Sequence, residues 1–514
     1  MLRAALLAGA LTLTAAAPAA AAPSRYGHEG RWITDGSGRV VVMHGFNMVN
    51  KLAASGYAPE GVGFGADDAR FLARNGFSVV RVGIVWKALE PQPGVYDDAY
   101  LGRVERTYRV LQRRGIAVLL DFHQDMYNER FQGEGAPDWA VLGPAATEDP
   151  APLAGFPANY LVQDAVNHAY DAFWANTPVP ATGRGVQDHY AAAWAHVAQR
   201  FAGRPGVLGY NLFNEAWPGS EIRAAFVNGC ATGPRTCGIA EFEAGPLTRF
   251  HRRLRNAIRR VDRATLLWPA PLLTFDFGAE SGVGRVDDAA GFAFNAYCAQ
   301  AAGLDAVIPY LRGKPCSFSA GLTFKNAEAV SRRTGSALLL TEFGASDDLA
   351  TYRDYLEGAD AHRVSWAFWA YCGCGDPTTS QGSEHAQAVV MDPSKPPAGA
   401  NVARTTLRRL ARPYPTRTSG TPTRYRFTSA SRTFTLRYTR ARAGGGRPFR
   451  LGSITEVAIP RVQYPRGYAV RVRGARVASK PRAGTLRLAL CRGARRVSLT
   501  VKRGRTGAAA RRCA

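Results

Sequence analysis

Two glutamates occupy the ends of apolar runs that have the length of buried strands. Glu215 ends VLGYNLFNE, where Asn214 precedes it, and Glu342 ends ALLLTE. Two opposed carboxyl groups are what hydrolysis of a glycosidic bond requires, because one protonates the leaving oxygen and the other attacks or stabilises the oxocarbenium-like centre. One glutamate after a strand is weak evidence, since many are loop residues or helix N-caps. Two such residues favour glycosidase chemistry.

These two runs belong to a set of eight β-rich apolar runs between Gly30 and Arg412. In chain order they are VVVMHGFN, FSVVRVGIVW, IAVLLDFHQD, VLGYNLFNE, TLLWPAPLL, GFAFNAYC, ALLLTEFG and VSWAFWAY. Most are followed by amphipathic helical segments, although no clear helix follows TLLWPAPLL. Near-continuous apolar strands that alternate with helices indicate a parallel sheet covered by helices. Eight such units predict an α/β fold, a (β/α)8 TIM barrel.

The polar residues of this region concentrate at the ends of the predicted strands, where a barrel assembles its active site. They are His44 and Asn47 on strand one, Arg81 on strand two, Asp121, His123 and Asp125 on strand three, Asn295 and Tyr297 on strand six, and Trp366 and Trp369 on strand eight. The aromatic rings suit sugars, whose C–H faces stack on them while the hydroxyl groups need polar partners. We interpret His44 as a structural residue.

The motifs around both glutamates resemble those of glycoside hydrolase family 5. NLFNEAWPG is similar to the Asn-Glu-Pro motif of that family, with Ala216 in place of the usual proline, and LLLTEFG is similar to its nucleophile strand. The stretches HGFNMVNK, DFHQDMYNERFQGEGAPDWAV, NLFNEAWPG and LLLTEFGAS, with a small C-terminal β domain, resemble the endoglycoceramidases more closely. Those are exported enzymes that cut the bond between the glycan and the ceramide of a glycosphingolipid. The resemblance covers most of the chain from Gly27 to Trp369.

The resemblance implies a role for each matching residue in a retaining mechanism. Glu215 would be the acid/base, Glu342 the nucleophile, and Asn214 would hold the 2-hydroxyl group of the sugar. Tyr297 and Arg81 would orient Glu342 and keep it ionised, since a nearby cation lowers the pKa of a carboxyl group. Burial would instead raise the pKa of Glu215 and keep it in the acid form.

Five further residues would contact the glycan, namely Lys51, Asp121, His123, Asp125 and Trp369. Alternatives stay open for several site residues: Arg81 or Asp121 could simply form a barrel salt bridge, and Lys51 could be a solvated loop residue. Neither a cofactor nor a metal ion is expected.

The segment from Met126 to Gln187, after strand three, is far longer than a typical strand-to-helix connection. It contains many large aromatic residues for a segment above a polar site, namely Tyr127, Phe131, Trp139, Phe156, Tyr160, Phe173 and Trp174. A lid or groove for a lipid chain explains these aromatic residues, and a mini-core of the segment's own is the competing explanation. We favour the lipid groove, mainly because of the family resemblance.

Charge is distributed very unevenly along the 514 residues. Residues 415–514 hold 25 Lys and Arg against one acidic residue, Glu456, and so carry +24 of the formal +25. Short alternating runs such as RTFTLRY and RVSLTVK predict a small antiparallel β-sandwich there. We therefore divide the chain into a catalytic domain at 23–412 and a basic C-terminal domain at 415–514. An anionic membrane surface or cell-wall polymers fit this charge, with a merely solvated basic face as the alternative.

Residues 1–22 combine a lone arginine, a short apolar stretch and a run of small residues, which is typical of a secretory signal peptide. Export predicts a secreted protein, argues against a nucleic-acid partner and permits disulfides. The eight cysteines suggest three pairs, Cys230 with Cys237, Cys298 with Cys316, and Cys491 with Cys513. Cys372 and Cys374 could be half of a zinc site, but no second pair has matching spacing, so a local bridge or two buried thiols is preferred. We expect a monomer without a transmembrane span.

Two other functions remain open at this point. A family 5 β-glucan hydrolase of the cellulase type would have an open, hydrophilic cleft, whereas the long apolar segment favours a substrate with a hydrophobic aglycone. A non-catalytic barrel that binds glycans or glycolipids would have no need for a matched acid and nucleophile. The expected substrate is thus a glycosphingolipid or another β-glycoside.

Overall fold

The structure is a computed structural model that describes residues 25–143, 155–225, 238–300, 311–346, 348–378 and 387–513. The strands in these residues are β1 Tyr26–Glu29, β2 Trp32–Asp35, β3 Val40–Val41, β4 His44–Met48, β5 Val79–Val85, β6 Ala117–His123, β7 Val207–Asn211, β8 Leu267–Trp268, β9 Gly291–Asn295, β10 Ala337–Glu342, β11 Ser365–Phe368, β12 Tyr414–Thr418, β13 Thr421–Thr428, β14 Thr433–Thr439, β15 Ile454–Ala458, β16 Tyr468–Arg473, β17 Ala475–Val477, β18 Thr485–Leu490 and β19 Arg496–Arg503.

The helices lie mainly between the first eleven strands. They are α1 Ala66–Arg74, α2 Trp86–Leu89, α3 Asp98–Gln112, α4 Asn159–Val162, α5 Asp164–Trp174, α6 Val186–Phe201, α7 Ser220–Ala225, α8 Ile239–Phe242, α9 Thr248–Arg259, α10 Cys316–Thr334, α11 Leu349–His362 and α12 Arg404–Leu410. Local sequence sets several boundaries. The side chain of Asp97 accepts a hydrogen bond from the amide of Tyr100 at the start of α3, and α10 ends at Gly335 with φ of 77°.

Strands β4 to β11 form one parallel sheet in the order β8-β7-β6-β5-β4-β11-β10-β9. Its two ends meet, because Leu267 of β8 forms a parallel bridge with Ala290, and its amide donates to the carbonyl of Ala289 over 3.0 Å. These are the eight strands expected from the apolar runs, so the predicted TIM barrel is confirmed. Between β8 and β9, residues 269–290 hold the 3-10 helix Leu273–Phe277 and no α-helix, in agreement with the irregular fifth unit.

The barrel interior changes from apolar to charged along each strand. Val79 of β5 and Leu119 of β6 belong to the apolar cluster that fills the lower barrel. Side chains alternate along a strand, so Arg81 and Asp121, two residues further on, face the same interior. The alternation that points apolar side chains into the lower barrel therefore also places charged side chains at the barrel mouth.

A β-sandwich follows the barrel and confirms the predicted C-terminal fold. One sheet has the order β13-β14-β19-β16 and the other the order β1-β2-β3-β12-β15-β18-β17. Val457 of the second sheet packs in one core with Phe434 and Leu499 of the first. The three N-terminal strands join this sandwich, since Val41 of β3 pairs with Arg417 of β12.

Buried contacts also connect the sandwich to the barrel. The His44 ring stacks between Trp366 and Tyr414, with ring centres 4.2 and 3.6 Å away, so the structure places it in the core as expected. Oδ2 of Asp360 accepts from Nη2 of Arg412 over 2.6 Å and from the amide of Phe427, in β13, over 3.3 Å. The domain boundary near residue 415 stays a prediction, and the bond between Asp360 and Phe427 crosses it.

Three disulfides occur in the described residues. Cys298 pairs with Cys316, Cys491 pairs with Cys513, and Cys372 forms a local bridge with Cys374. Two predicted pairs and the preference for a local bridge over a zinc half-site are thereby confirmed. The remaining predicted pair, at positions 230 and 237, and the predicted signal peptide lie outside the described residues. Among the helices described, none has the length and apolarity needed to cross a membrane.

The aromatic residues of the long segment after β6 are mainly core residues. Four are at most 2% exposed, namely Tyr127, Phe131, Tyr160 and Phe173, and Trp139 and Trp174 pack against the same core. Both indole N–H groups are satisfied inside the protein, that of Trp139 by the carbonyl of Glu90 and that of Trp174 by the carbonyl of Trp217. Only Phe156 of the seven lines the pocket at the barrel mouth. The lipid-groove prediction is therefore wrong for six of the seven. A mini-core of the segment's own is also wrong, because these side chains pack in the main core with barrel residues such as Trp217 and Phe213.

Candidate active site

Glu342 ends β10 and is held on both carboxylate oxygens. Arg81 donates from Nη1 to Oε1, and the Tyr297 hydroxyl donates to Oε2 over 2.9 Å. Burial raises the pKa of the Glu342 carboxyl, and the Arg81 guanidinium opposes that rise. Two donors on one carboxylate favour its charged form, which is the form that a nucleophile needs.

Arg81 lies at the centre of a buried polar network and is 1% exposed. Besides Glu342, its guanidinium contacts Asp121 (Nη2 to Oδ1, 2.8 Å) and the side-chain carbonyl oxygens of Asn47 (3.0 Å), Asn211 (2.8 Å) and Asn214 (2.8 Å). Burial works against its charge, but the carboxylates of Asp121 and Glu342 outweigh burial and raise the pKa of the guanidinium. Arg81 thus forms the barrel salt bridge with Asp121 that was considered as an alternative, and it also binds Glu342.

Glu215 lies just beyond β7, with its backbone in the left-handed region at φ of 38°. Gln124 donates from Nε2 to its carbonyl over 3.0 Å, and Asn295 donates from Nδ2 to its Oε1 over 2.8 Å. Burial is the main cause that raises the pKa of the Glu215 carboxyl well above its usual range, and the neighbouring Asp276 and Glu342 add to it. The raised pKa favours the protonated form of Glu215, which is the form that an acid catalyst needs.

Lys51 is buried at the other end of the mouth among acidic groups. Its Nζ is 2.5 Å from Oδ2 of Asp125, 3.1 Å from Oδ1 of Asp376 and 2.5 Å from the hydroxyl of Thr378. Burial disfavours the ammonium, yet these carboxylates raise the pKa of Lys51 well above its usual value. The alternative of a solvated loop residue is wrong, since the Lys51 side chain is 2% exposed.

His123 and Glu134 complete this acidic cluster. His123 Nδ1 is 2.8 Å from Oδ2 of Asp121, and the bonds to Asp121 and Asp125 overcome burial and raise its pKa to about 9. His123, Asp125 and Glu134 offer ligand atoms within 4.8 Å of one another. Lys51 already contacts two of these three, at 2.5 and 3.7 Å, so the cluster has its cation without a metal ion.

Trp369 covers the same end of the mouth. Its ring lies 4.6 Å from the Lys51 ammonium and is stacked on the His123 ring at 5.2 Å. Its indole N–H donates to Oε1 of Gln387 over 3.1 Å, which fixes the ring plane. An indole fixed in this way can stack on a sugar ring while the nearby polar groups bind its hydroxyls.

The pocket at Glu215 and Glu342 is lined by polar and by apolar side chains, which we group as a polar wall and an apolar wall. The polar wall consists of Lys51, Asp125, Trp369, Asp376, Thr378 and Gln387. The apolar wall consists of Phe156, Pro157, Leu273, Phe277, Cys298 and Ala345.

The structure brings all ten predicted site residues to the barrel mouth. All ten were placed above, and two of them, Asn214 and Asp121, contact Arg81. Asn214 also donates from Nδ2 to the carbonyl of Gln124 over 3.1 Å. Sequence reasoning missed Asp276, Asp376 and Thr378, which lie in loops after β8 and β11. Only Asp376 had a usable signal, an acidic residue shortly after the last apolar run.

Comparison with known proteins places this geometry in a family. Residues 44–268 match the cellulase domain of glycosyl hydrolase family 5, and residues 412–501 match the glycoside hydrolase family 5 C-terminal domain. Endoglycoceramidase I of Rhodococcus hoagii (strain 103S) is 33% identical over 464 residues, which span 88% of this chain and 84% of that protein. The chain belongs to glycoside hydrolase family 5.

Other family 5 relatives share the name of that protein or its architecture. An endoglycoceramidase of Hydra vulgaris is 26% identical, over 80% of this chain and 76% of its own. Endo-glycoceramidase II from Rhodococcus sp. has been solved as a lactosyl-enzyme intermediate, which superposes with a TM-score of 0.71 at 27% identity and covers 92% of this chain and 99% of that one. The same enzyme in complex with ganglioside GM3 superposes equally well, at 28% identity. The barrel and the sandwich of this family 5 chain thus both have counterparts in a solved enzyme.

Proposed function

We propose that this family 5 enzyme hydrolyses, with retention, the β-glycosidic bond between the glycan and the ceramide of glycosphingolipids. The observation that carries the proposal is that the pocket at Glu215 and Glu342 combines a polar set of side chains around Lys51 with an apolar set that includes Phe156 and Phe277. A glycan needs hydrogen-bond partners and an aromatic platform, whereas ceramide needs apolar contact. The names of the relatives, and the lactosyl and GM3 complexes of one of them, agree with this division.

The geometry assigns the two glutamates different tasks in the reaction. The Glu342 carboxylate attacks the anomeric carbon, and the C–O bond to ceramide breaks as Glu215 gives its proton to the leaving oxygen. Water then attacks the glycosyl ester while Glu215 takes a proton from it, which returns both carboxyl groups to their starting states. Arg81 and Tyr297 orient Glu342 for this attack, and Asn214 has one amide hydrogen left for the 2-hydroxyl group.

The glycan lies along the polar wall in this proposal. Trp369 stacks on a sugar ring, and Lys51 and Asp125 bind its hydroxyl groups. Asp121 and His123 act beneath them by holding Arg81 and the Asp125 cluster in place. Phe156 and Phe277 of the apolar wall contact the part of ceramide next to the scissile bond.

One assay separates this function from its alternatives. Purified protein is incubated with a small panel of glycosphingolipids and with a soluble β-glucan, and the products are identified by mass spectrometry. Release of intact glycan and ceramide is expected, with loss of nearly all activity in Glu215→Gln and Glu342→Gln. Glu280→Gln, an exposed glutamate, is the matched control. Preferential cleavage of the β-glucan would establish a cellulase-type enzyme, and binding without any cleavage would establish a non-catalytic barrel.

An anionic membrane surface is the partner proposed for the C-terminal sheet β13-β14-β19-β16. Its outer face carries a row of exposed residues set by the register, in which Arg424 faces Arg437, Arg437 faces Ser498 and Ser498 faces Arg473. Like charges directly opposite each other destabilise a sheet, and a bound anion relieves that repulsion. Each basic residue near an anionic bilayer contributes about 1 kcal/mol.

Vesicle binding tests the membrane proposal. Binding to vesicles with anionic lipid, but not to neutral ones, should weaken steeply as salt rises, because screening shortens to about 3 Å at 1 M. The triple variant Arg424→Gln, Arg437→Gln, Arg473→Gln should lose most of this binding. A second triple variant removes the same charge from exposed barrel positions and should lose less vesicle binding; it carries Arg285→Gln, Arg332→Gln and Arg353→Gln. Equal losses in both triples would contradict a specific face.

Export of the protein completes the proposal. The composition of residues 1–22 and the three disulfides support it. Mature protein in the medium of an expressing culture, with its N-terminus near residue 23, is the expected result. Retention of the full-length chain inside the cells would contradict export.

A further inference from the structure

Asp276 is a buried carboxyl group that the mechanism above does not use. It lies in the 3-10 helix Leu273–Phe277 and is 2% exposed. The amide of Leu273 donates to the carbonyl of Ala216, next to Glu215, over 3.1 Å, and the amide of Tyr297 donates to the carbonyl of Asp276 over 2.9 Å. The backbone of Asp276 is therefore fixed between the residue after Glu215 and the tyrosine that binds Glu342.

The side chain of Asp276 meets that of Glu215. The two carboxyl groups are in hydrogen-bonding contact, and Oδ2 of Asp276 is buried and accepts no hydrogen bond from any donor group in the described residues. Two carboxylates in contact within a buried site cannot both be ionised without strong repulsion. The pair therefore holds one proton, and that proton is what satisfies the acceptor on Asp276.

The proposed role of Glu215 decides which of the two carries the proton. Burial raises the pKa of both carboxyl groups well above their usual range, and each stands near the charge of Glu342. With Glu215 as the acid, the resting arrangement is a protonated Glu215 whose hydroxyl donates to the Asp276 carboxylate.

We propose that Asp276 is a positioning residue for the acid/base, because its carboxylate accepts the hydrogen bond of protonated Glu215 and keeps that proton on Glu215 in the free enzyme. The inference rests on the proposed role of Glu215. When the proton passes to the leaving oxygen, Glu215 becomes a carboxylate beside a second carboxylate. Once Glu342 is esterified it no longer carries charge, while Asp276 still does, so Asp276 keeps Glu215 basic enough to take the proton from water. The proton then returns to the shared position.

Other ionisable groups face this pair and stay constant in the test. They are Arg81, Asp125, Glu342, Tyr160, Tyr297 and Tyr355. Of these, Arg81 is the cation. A change of pH dependence on replacing Asp276 alone therefore reports its own negative charge.

The experiment compares Asp276→Asn with wild type on two substrates that have one glycan but different leaving groups. The alkyl glycoside needs acid assistance, whereas the nitrophenyl glycoside leaves without it. In Asp276→Asn the basic limb of kcat/KM for the alkyl glycoside should move to lower pH by about one unit or more, because the charge that holds the proton on Glu215 is gone. At pH 7 its kcat/KM should fall about tenfold or more, and that for the nitrophenyl glycoside less than about threefold.

If Asp276 had a merely structural role, its replacement would lower kcat/KM for both substrates alike and would leave the pH of the basic limb unchanged. Either result would overturn the inference. Asp276→Ser serves as a second variant in case the amide disturbs folding, and it should shift the limb in the same direction. Asp288→Asn, at an exposed position, is the matched control and should behave as wild type. Glu215→Gln separates the two proposals. If that variant does not lose activity on the alkyl glycoside selectively, the assignment of Glu215 as the acid fails, whatever the result for Asp276.

Discussion

Arg81 and Glu342 form a buried ion pair at the mouth of the barrel, and every other contact of the Arg81 guanidinium is also with a buried side chain. Replacement by lysine leaves one charge but not the planar set of donors. Arg81→Lys should therefore lower kcat/KM about 100-fold or more and move the acidic limb of the pH profile upward, since an ammonium cannot keep the hydrogen bond to Glu342 while it serves Asp121 and three amide oxygens.

The control for that prediction is Arg70→Lys, an exposed arginine paired with Asp67. It should leave the rate and both limbs of the profile unchanged. An unshifted acidic limb in Arg81→Lys, with the melting temperature retained, would mean that Arg81 only supports the fold.

Lys51 should contribute to both binding and stability. Lys51→Met leaves Asp125 and Asp376 buried without their cation, and breaking a buried pair in this way typically destabilises by about 3–5 kcal/mol. Because Lys51 bonds to Asp125 and Asp376 and not to a catalytic glutamate, KM should rise more than kcat falls. Chemical denaturation and steady-state kinetics measure the two effects, and Lys395→Met, at an exposed ion pair, is the control. An unchanged KM would remove Lys51 from the glycan site.

His123 should make stability depend on pH in a defined direction. Its folded-state pKa of about 9 lies above the usual value near 6.5, so its contribution is fully present below about pH 6.5 and is lost as pH rises through about 9. The stability advantage of wild type over His123→Gln should therefore shrink across that window, by an amount on the order of 3 kcal/mol. Denaturant midpoints at pH 6 and pH 9.5 measure it, and an advantage that grows with pH would contradict the assigned charge.

Most of the fold could be predicted from the sequence because its signals are local. A strand buried on both faces is a continuous apolar run, and its polar end marks the mouth of a barrel, so Glu215 and Glu342 were found without a structure. Asp276 and Thr378 could not be found in this way, since they lie in irregular loops where no periodicity identifies a side chain that faces the site.

Two other features were beyond the sequence for different physical reasons. An aromatic residue in a loop has the same sequence signal whether it lines a groove or packs inside, so the roles of Tyr160 and Phe156 could not be distinguished. The pairing of Val41 with Arg417 joins strands that are hundreds of residues apart, and such pairing leaves no local pattern.

The apolar wall should set the preference for ceramide. Phe156→Ala and Phe277→Ala each remove apolar contact next to the leaving group, and several lost methylene equivalents at about 0.8 kcal/mol each predict a fall of about tenfold or more in kcat/KM. A short, water-soluble alkyl glycoside with the same glycan should be affected much less. Val162→Ala, in the same long segment as Phe156 but 58% exposed, should leave kcat/KM unchanged for both substrates. Equal losses on both substrates would mean that the wall supports the fold rather than binding the aglycone.

Identification of the residue that becomes glycosylated tests the central claim most directly. A 2-deoxy-2-fluoro glycoside of the preferred glycan slows hydrolysis of the covalent intermediate, so digestion and mass spectrometry can locate the trapped sugar. We predict one glycosylated peptide, with the sugar on Glu342, and faster loss of the label when an acceptor alcohol is added. A label on Glu215 would reverse the assigned roles, and inactivation without any covalent sugar would contradict the retaining mechanism.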